Sequence, residues 1–478
     1  MKPLLPWLAF SLAAIVPSSV AAAPTVRGIN VLLIIVDDLN LALGCYGYPT
    51  VQTPNIDRLA ARGVRFDRAY CQYPLCNPSR VSFLSGRRPE TSGVYVLTTP
   101  ARTALPAAVM LLQYFREHGY FTGGAGKVFH NVKVNDPKSW DFYEDGLGAD
   151  PQEQAALKAR AGGDGRPAWH VLDGDGRQTR DGLNAQTIAR LMAEQNAVGK
   201  PFFLAAGFHK PHLPWTAPKR FFDLYPESAI KVPAEPAMRG IPAIAMQTEL
   251  SGFEQPESRA AALRAYYACV SFTDHQVGEL LDQLERLDLW RNTVVVLLGD
   301  NGFHLGDHGG LWAKLSAFDA STHVPLIMAG AGVPAGRIVD MPVELLDVYP
   351  TLLDLAGFSA DPGLEGRSLL TTLGGADGNT QRLARSMVFH YDVAAKRDVL
   401  GRTIIAPQWR YTEWAGGTAG RELYWRPDDP AEYHNRAADP ARTRELQAGR
   451  EAVSALPAPK PGPANRPRAL TASEPSAN

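Results

Sequence analysis

Residues 30–38 read Asn30-Val31-Leu32-Leu33-Ile34-Ile35-Val36-Asp37-Asp38, a near-continuous apolar run that stops abruptly at two carboxylates. A strand with one wet face would alternate. An unbroken apolar run of this length predicts a strand buried on both faces of a parallel sheet. Residues 293–301, TVVVLLGDN, repeat the pattern, and further apolar strand candidates lie at 202–207 and 324–328. Helical periodicity runs over 183–196 and 259–290. Strands alternating with helices predict an α/β domain built on a large mixed or parallel sheet sandwiched by helices.

In open α/β sheets ligands bind beyond the carboxyl ends of strands. Asp37, Asp38, Asp300 and Asn301 are therefore expected to converge from distant parts of the chain. Asp and Asn are also ordinary turn residues, so one such ending would mean little. Two of them on core strands point to a hard cation held by oxygen ligands, Ca²⁺ or Mg²⁺.

From about Gly374 the pattern changes to short apolar segments (SMVFHY, QWRYTEW, ELYWR) separated by polar turns. This predicts a small C-terminal α+β subdomain at 374–455, an antiparallel sheet with a helix, after the larger α/β domain at 24–373. Residues 456–478 are rich in Pro and Ala with almost no large apolar side chains, and are expected to be disordered. Residues 145–176, rich in Gly and Asp, read as a loop or insertion, and no internal repeat is found. Loops such as 145–176 and 233–255 are the expected places for substrate specificity.

The first 23 residues combine Lys2, an apolar run and Ala21-Ala22-Ala23, the pattern of a cleaved signal peptide. The run is broken by Pro17 and is shorter than the ~20 residues of a spanning helix. No later segment is apolar enough to span, so no membrane association is expected of the mature form. Lys plus Arg (48) balance Asp plus Glu (49), so bulk charge calls for no nucleic-acid or anionic-membrane partner. There is no Asn-x-Ser/Thr acceptor, Asn77-Pro78-Ser79 being excluded by its proline; bacterial periplasm or secretion is expected over a lysosome. Four cysteines, Cys45, Cys71, Cys76 and Cys269, are too few and too scattered for a disulfide scaffold or a CxxC zinc site.

A lone cysteine is ordinarily an inert buried thiol. Cys76 differs through its surroundings, Leu75-Cys76-Asn77-Pro78-Ser79-Arg80 followed by Val81-Ser82-Phe83-Leu84-Ser85-Gly86-Arg87. A tyrosine-phosphatase-like loop needs five residues between cysteine and arginine, whereas three separate Cys76 from Arg80. A cysteine hydrolase has no local signature here. The C-x-P-S-R core followed by LSGR resembles the signature of type I sulfatases, in which that cysteine is oxidised to formylglycine. Ser85 stands where the family more often has threonine.

The resemblance extends over nearly the whole mature chain, which looks like the iduronate-2-sulfatase branch with its bacterial relatives. It rests on VDDLN at Val36, TPNIDRLA at Thr53, GKVFH at Gly126, FHKPHLPW at Phe208, GDNGFHLGDHGGLWAK at Gly299 and DASTHVPLI at Asp319. It implies an alkaline-phosphatase-like fold and hydrolysis of sulfate esters, with a sulfated carbohydrate such as a 2-O-sulfated uronate as substrate. It also implies a formylglycine-generating maturation enzyme as partner. Asp37, Asp38, Asp300 and Asn301 match the family's Ca²⁺ ligands, with the formylglycine at Cys76 completing the sphere. Iduronate-2-sulfatase usually has histidine at the position of Asn301.

Arg80, Lys127, His130, His212 and Lys314 match its basic active-site positions, although His209 in the same HKPH block could exchange roles with His212. The implied mechanism is attack of the formylglycine hydrate on sulfur, with His212 or Lys314 protonating the leaving alcohol. His130 then acts as general base to re-form the aldehyde and release sulfate. Two other functions stay open from sequence. They are a phosphatase or phosphonate monoester hydrolase of the same superfamily, and a glycan-binding protein that has lost catalysis.

Overall fold

The computed structural model describes residues 28–146, 148–162, 169–247, 253, 255–359, 361–375 and 382–461. The expected signal peptide and residues 462–478 lie outside the described residues.

Nine strands form the central sheet. In chain order they are β1 (Asn30–Val36), β2 (Gly63–Tyr70), β3 (Phe121–Gly126), β4 (Phe142–Glu144), β5 (Phe202–Phe208), β6 (Thr293–Gly299), β7 (His323–Gly330), β8 (Arg337–Val339) and β9 (Val343–Glu344). They lie in the order β8-β2-β7-β6-β1-β5-β3-β4, with β9 also on β2. The core strands β6, β1, β5, β3 and β4 are parallel, and β7 alone runs antiparallel to its two neighbours. Every residue of β1, β5 and β6 is buried, as their unbroken apolar sequence requires. Odd and even positions of β1 feed separate cores. Leu32, Ile34 and Val36 face one layer and Val31, Leu33 and Ile35 the other.

The helix expected at 183–196 runs from Arg180 to Val198, and the one at 259–290 from Pro256 to Arg286. The C-terminal subdomain carries the antiparallel sheet β10 (Ala384–Asp392), β11 (Arg397–Ile405), β12 (Trp409–Trp414) and β13 (Gly420–Trp425), followed by the helix Thr443–Ser454.

Two expectations need correction. The 145–176 segment is not simply a loop; it carries the helix Pro151–Gly162 and the strand Trp169–Leu172, which pairs with Trp215–Pro218. Asp150 starts that helix by accepting the Gln152 and Glu153 amides, the capping that an aspartate supplies to orphan N–H groups. At the other end of the chain, residues 456–461 are packed, Leu456 in the apolar cluster of the C-terminal sheet and Lys460 against the larger domain. Leu456 is buried and the Lys460 amide donates to Glu90 O at 2.9 Å.

Candidate active site

Register brings the site together. Val36 lies opposite both Phe208 and Gly299, and Gly126 opposite Gly207. The residues just past four parallel strands therefore meet at one edge: Asp37 and Asp38 after β1, Asp300 and Asn301 after β6, Lys127 after β3, and 209–212 after β5. Gly207 is required there, because a Cβ would stand 2.1 Å from the Lys127 carbonyl carbon. β2 ends at the same edge and leads into the helix Cys76–Ser85, whose first residue is Cys76.

Cys76 is buried, with Sγ 3.0 Å from Lys314 Nζ and 3.7 Å from Lys127 Nζ. Lys127 pairs with Asp37 Oδ2 at 2.5 Å, and Lys314 pairs with Asp38 Oδ1. Arg80, on the same helix as Cys76 and fully buried, ties two strand ends together. Its Nε donates to Asp300 Oδ2 at 2.8 Å and a terminal nitrogen to Asp37 Oδ1 at 3.1 Å, while the other binds the Lys127 and Val128 carbonyls. Burial opposes ionisation of Asp37, but Lys127, then His212, Arg80 and Lys314, hold its carboxyl well below the ordinary range. Burial, reinforced by the charge of Asp37, pushes the Cys76 thiol far up despite both lysines. An unmodified Cys76 is thus a protonated thiol at neutral pH and a poor nucleophile.

Asp37, Asp38 and Asp300 each offer a carboxylate oxygen within 4.8 Å of the others. Asn301 Nδ2 donates to Asp38 Oδ1 and Gly302 O, which leaves Oδ1 buried without a hydrogen-bond partner. Three carboxylates and an orphaned amide oxygen are hard donors suited to Ca²⁺, so the residues fit that ion. Three carboxylates face three cations, Arg80, Lys127 and Lys314. A divalent ion would leave two positive charges for an anionic substrate.

The two histidines of the HKPH block separate. His209 is pinned to Asp181, which accepts both its amide (2.8 Å) and its ring Nδ1 (3.1 Å). His212 turns the other way, its Nε2 3.8 Å from Asp38 Oδ2 and its Nδ1 on Leu213 O. His130 sits in the field of Lys127, Asp37, Arg80 and Lys314; its Nδ1 is buried with no hydrogen-bond partner. Burial first, and the Lys127 charge second, hold its pKa well below the usual histidine value. All ten sequence-derived residues thus gather at this edge.

A family profile described as "Sulfatase" matches residues 29–358. The chain belongs to the sulfatase family. A second profile, "N-sulphoglucosamine sulphohydrolase, C-terminal", matches residues 306–453 of this sulfatase. Among curated relatives, a "Sulfatase" of Formosa agariphila is 33% identical over 85% of this chain and 83% of its own length. Human "Iduronate 2-sulfatase" is 31% identical over 90% of this chain and 95% of its own. The phosphonate monoester hydrolase of Agrobacterium radiobacter shares the fold, with TM-score 0.73 at 23% identity over 89% of this chain and 95% of that one. The sulfatase is a sulfuric ester hydrolase, and no helix among its described residues is long and apolar enough to cross a membrane.

Sequence reasoning passed over three contributors. Asp181 decides which histidine faces the site, and His304 and Asp307 brace the Lys314 loop through Ser316. Asp307 and His304 lie within the GDNGFHLGDHGG block, but nothing in that block distinguishes a brace from a ligand.

Proposed function

We propose that this sulfatase removes sulfate from an anionic glycan, a uronate 2-O-sulfate being the preferred substrate, with Cys76 matured to formylglycine and Ca²⁺ at the aspartate cluster. The observation that carries this reading is Cys76 Sγ held between Lys127 and Lys314 at the first position of a buried helix, beside Asp37. The substrate class is supported by the 31% identity to human iduronate 2-sulfatase along nearly all of its length.

Calcium held by Asp37, Asp38, Asp300 and Asn301 Oδ1 would polarise a sulfate oxygen and favour ionisation of one hydroxyl of the hydrated side chain. Lys127 and Lys314 bind the remaining sulfate oxygens. Their charge is in place before reaction, which is where electrostatic stabilisation of a developing anion is largest. The hydrated side chain at position 76 forms a bond to sulfur as the sulfur–alkoxide bond breaks, and His212 or Lys314 gives the departing oxygen its proton. His130, kept neutral by burial, then takes the proton of the second hydroxyl, so that the aldehyde re-forms and sulfate leaves. Water re-hydrates the aldehyde for the next turnover.

Maturation calls for a formylglycine-generating enzyme, and the signal-peptide pattern for a periplasmic or secreted location. The test is sulfate release from 2-O-sulfated uronate disaccharides by calcium-loaded protein co-expressed with that enzyme, against Cys76→Ala. Release by wild type alone supports the reading. Turnover of aryl phosphate or phosphonate in place of any sulfate ester would overturn it, as would equal release by Cys76→Ala.

A further inference from the structure

Lys314 stands in a strained loop. Its two neighbours, Ala313 (φ 73°) and Leu315 (φ 61°), both adopt the left-handed conformation that non-glycine residues avoid. Such conformations persist only where the surroundings fix them. Several contacts do so. Ala313 pairs with His304, Ser316 Oγ meets His304 Nε2 at 2.7 Å, and the Leu315 amide donates to Pro74 O at 3.1 Å.

A further contact comes from the C-terminal subdomain. His390, on β10, is buried with its ring against the fully buried Trp414. Its Nε2 lies 2.5 Å from Leu315 O and its Nδ1 2.6 Å from Ile244 O. Ile244 belongs to the turn Ala243–Ala245, which packs in one apolar cluster with Leu75, the residue before Cys76, and Leu315. Gln247 ties the same segment to β10 through both backbone groups of Tyr391.

We propose that His390 is a positioning residue for Lys314, a brace from the C-terminal subdomain that holds both the lysine loop and the 243–245 turn against the nucleophile. The inference rests on the reading of Lys314 as a sulfate ligand. Its chemistry follows from proton counting. Both partners of the ring are carbonyl oxygens, which only accept, and a neutral imidazole has one N–H to give. The neutral ring therefore satisfies one carbonyl and turns a lone pair toward the other; the imidazolium satisfies both. The groups facing the ring are Leu315 O from the lysine loop, Ile244 O from the turn and Trp414 from β12, none of them charged. Burial holds its pKa below the usual histidine value. At neutral pH the ring is neutral and donates to one of the two carbonyls, and charging it, which burial opposes, loosens the hold on Lys314 on acidification.

Inorganic sulfate, the product every sulfate ester releases, probes this without knowledge of the alcohol. Its affinity for the calcium-loaded, matured full chain is measured by calorimetry from pH 5 to 8 in wild type, His390→Ala, His390→Gln and Lys314→Ala. The expected result is an affinity loss of about tenfold for His390→Ala, equal to about 1.4 kcal/mol. His390→Gln, whose amide can donate to Leu315 O and does not titrate, should stay within about threefold and lose the loosening at low pH that His390 contributes in wild type. Lys314→Ala should lose binding altogether.

Wild-type affinity and pH dependence in both His390 variants, with Lys314→Ala defective, would overturn the proposal. Wild-type affinity in Lys314→Ala, or no sulfate binding by wild type, would instead overturn the reading of the site beneath it. Should His390→Ala fail to fold, His390→Gln decides alone, an unchanged pH dependence counting against the brace.

Discussion

Replacing Arg80 by lysine keeps the positive charge and removes the fork that spans Asp37 and Asp300. In the native structure one guanidinium makes hydrogen bonds in four directions, to two carboxylates and two carbonyls, from a fully buried position. An ammonium is a single point with three donors and cannot reach both carboxylates at once. At least one charge-assisted hydrogen bond is lost, at ~1.5–3 kcal/mol, and a buried acceptor is left unpaired at a further ~1–3 kcal/mol. Relaxation of the helix Cys76–Ser85 recovers part, so the net expectation is about 2–4 kcal/mol. At ~2 °C per kcal/mol for a large domain, the calorimetric midpoint should fall by ~4–8 °C. The effect should be greatest in metal-stripped protein, because a bound cation would neutralise the released carboxylates. A midpoint within a degree of wild type, with and without calcium, would refute the claim that guanidinium geometry holds the two strand ends together.

Adding calcium to metal-stripped protein should raise the melting temperature, the stabilisation reaching about 2.7 kcal/mol at a hundredfold excess over Kd. Asn301→Ala should lose most of that shift, and an equal shift in the variant would remove Asn301 from the ligand set. His212→Ala should cut kcat at least tenfold with little change in stability, whereas His209→Ala should lower the melting temperature by freeing Asp181; the reverse pattern would exchange their roles. Burial, with Asp319 beside it and Arg410 opposing, raises Glu432 to about 7. A raised carboxyl contributes stability that is fully present below its unfolded pKa, ~4.3, and lost as pH rises through the folded value. This contribution should therefore decline between about pH 4 and about pH 7, and Glu432→Gln should flatten that decline in a pH series of melting curves.

The position of the site was legible from two short runs. NVLLIIVDD and TVVVLLGDN each announce a doubly buried strand and the residues at its carboxyl end, so Asp37, Asp38, Asp300 and Asn301 could be named without coordinates. The C-x-P-S-R segment likewise singled out Cys76 and Arg80, through its resemblance to the type I sulfatase signature. The 145–176 segment reads as a loop or insertion because its glycines and aspartates hide a helix, Pro151–Gly162, that starts at Asp150.

Only tertiary structure decided the rest. His209 and His212 are three residues apart and alike in sequence; Asp181, which arrives on a separate helix, selects between them by accepting from the first. The strain on either side of Lys314 and the contact of His390 with Leu315 O span 75 residues and two subdomains, and no local pattern records them. Sequence by itself determined which side chains this protein brings to a strand edge, because burial and spacing are written in the neighbouring residues. Which way each side chain turns, and what holds it there, was decided by partners that meet only when the sheet register is set.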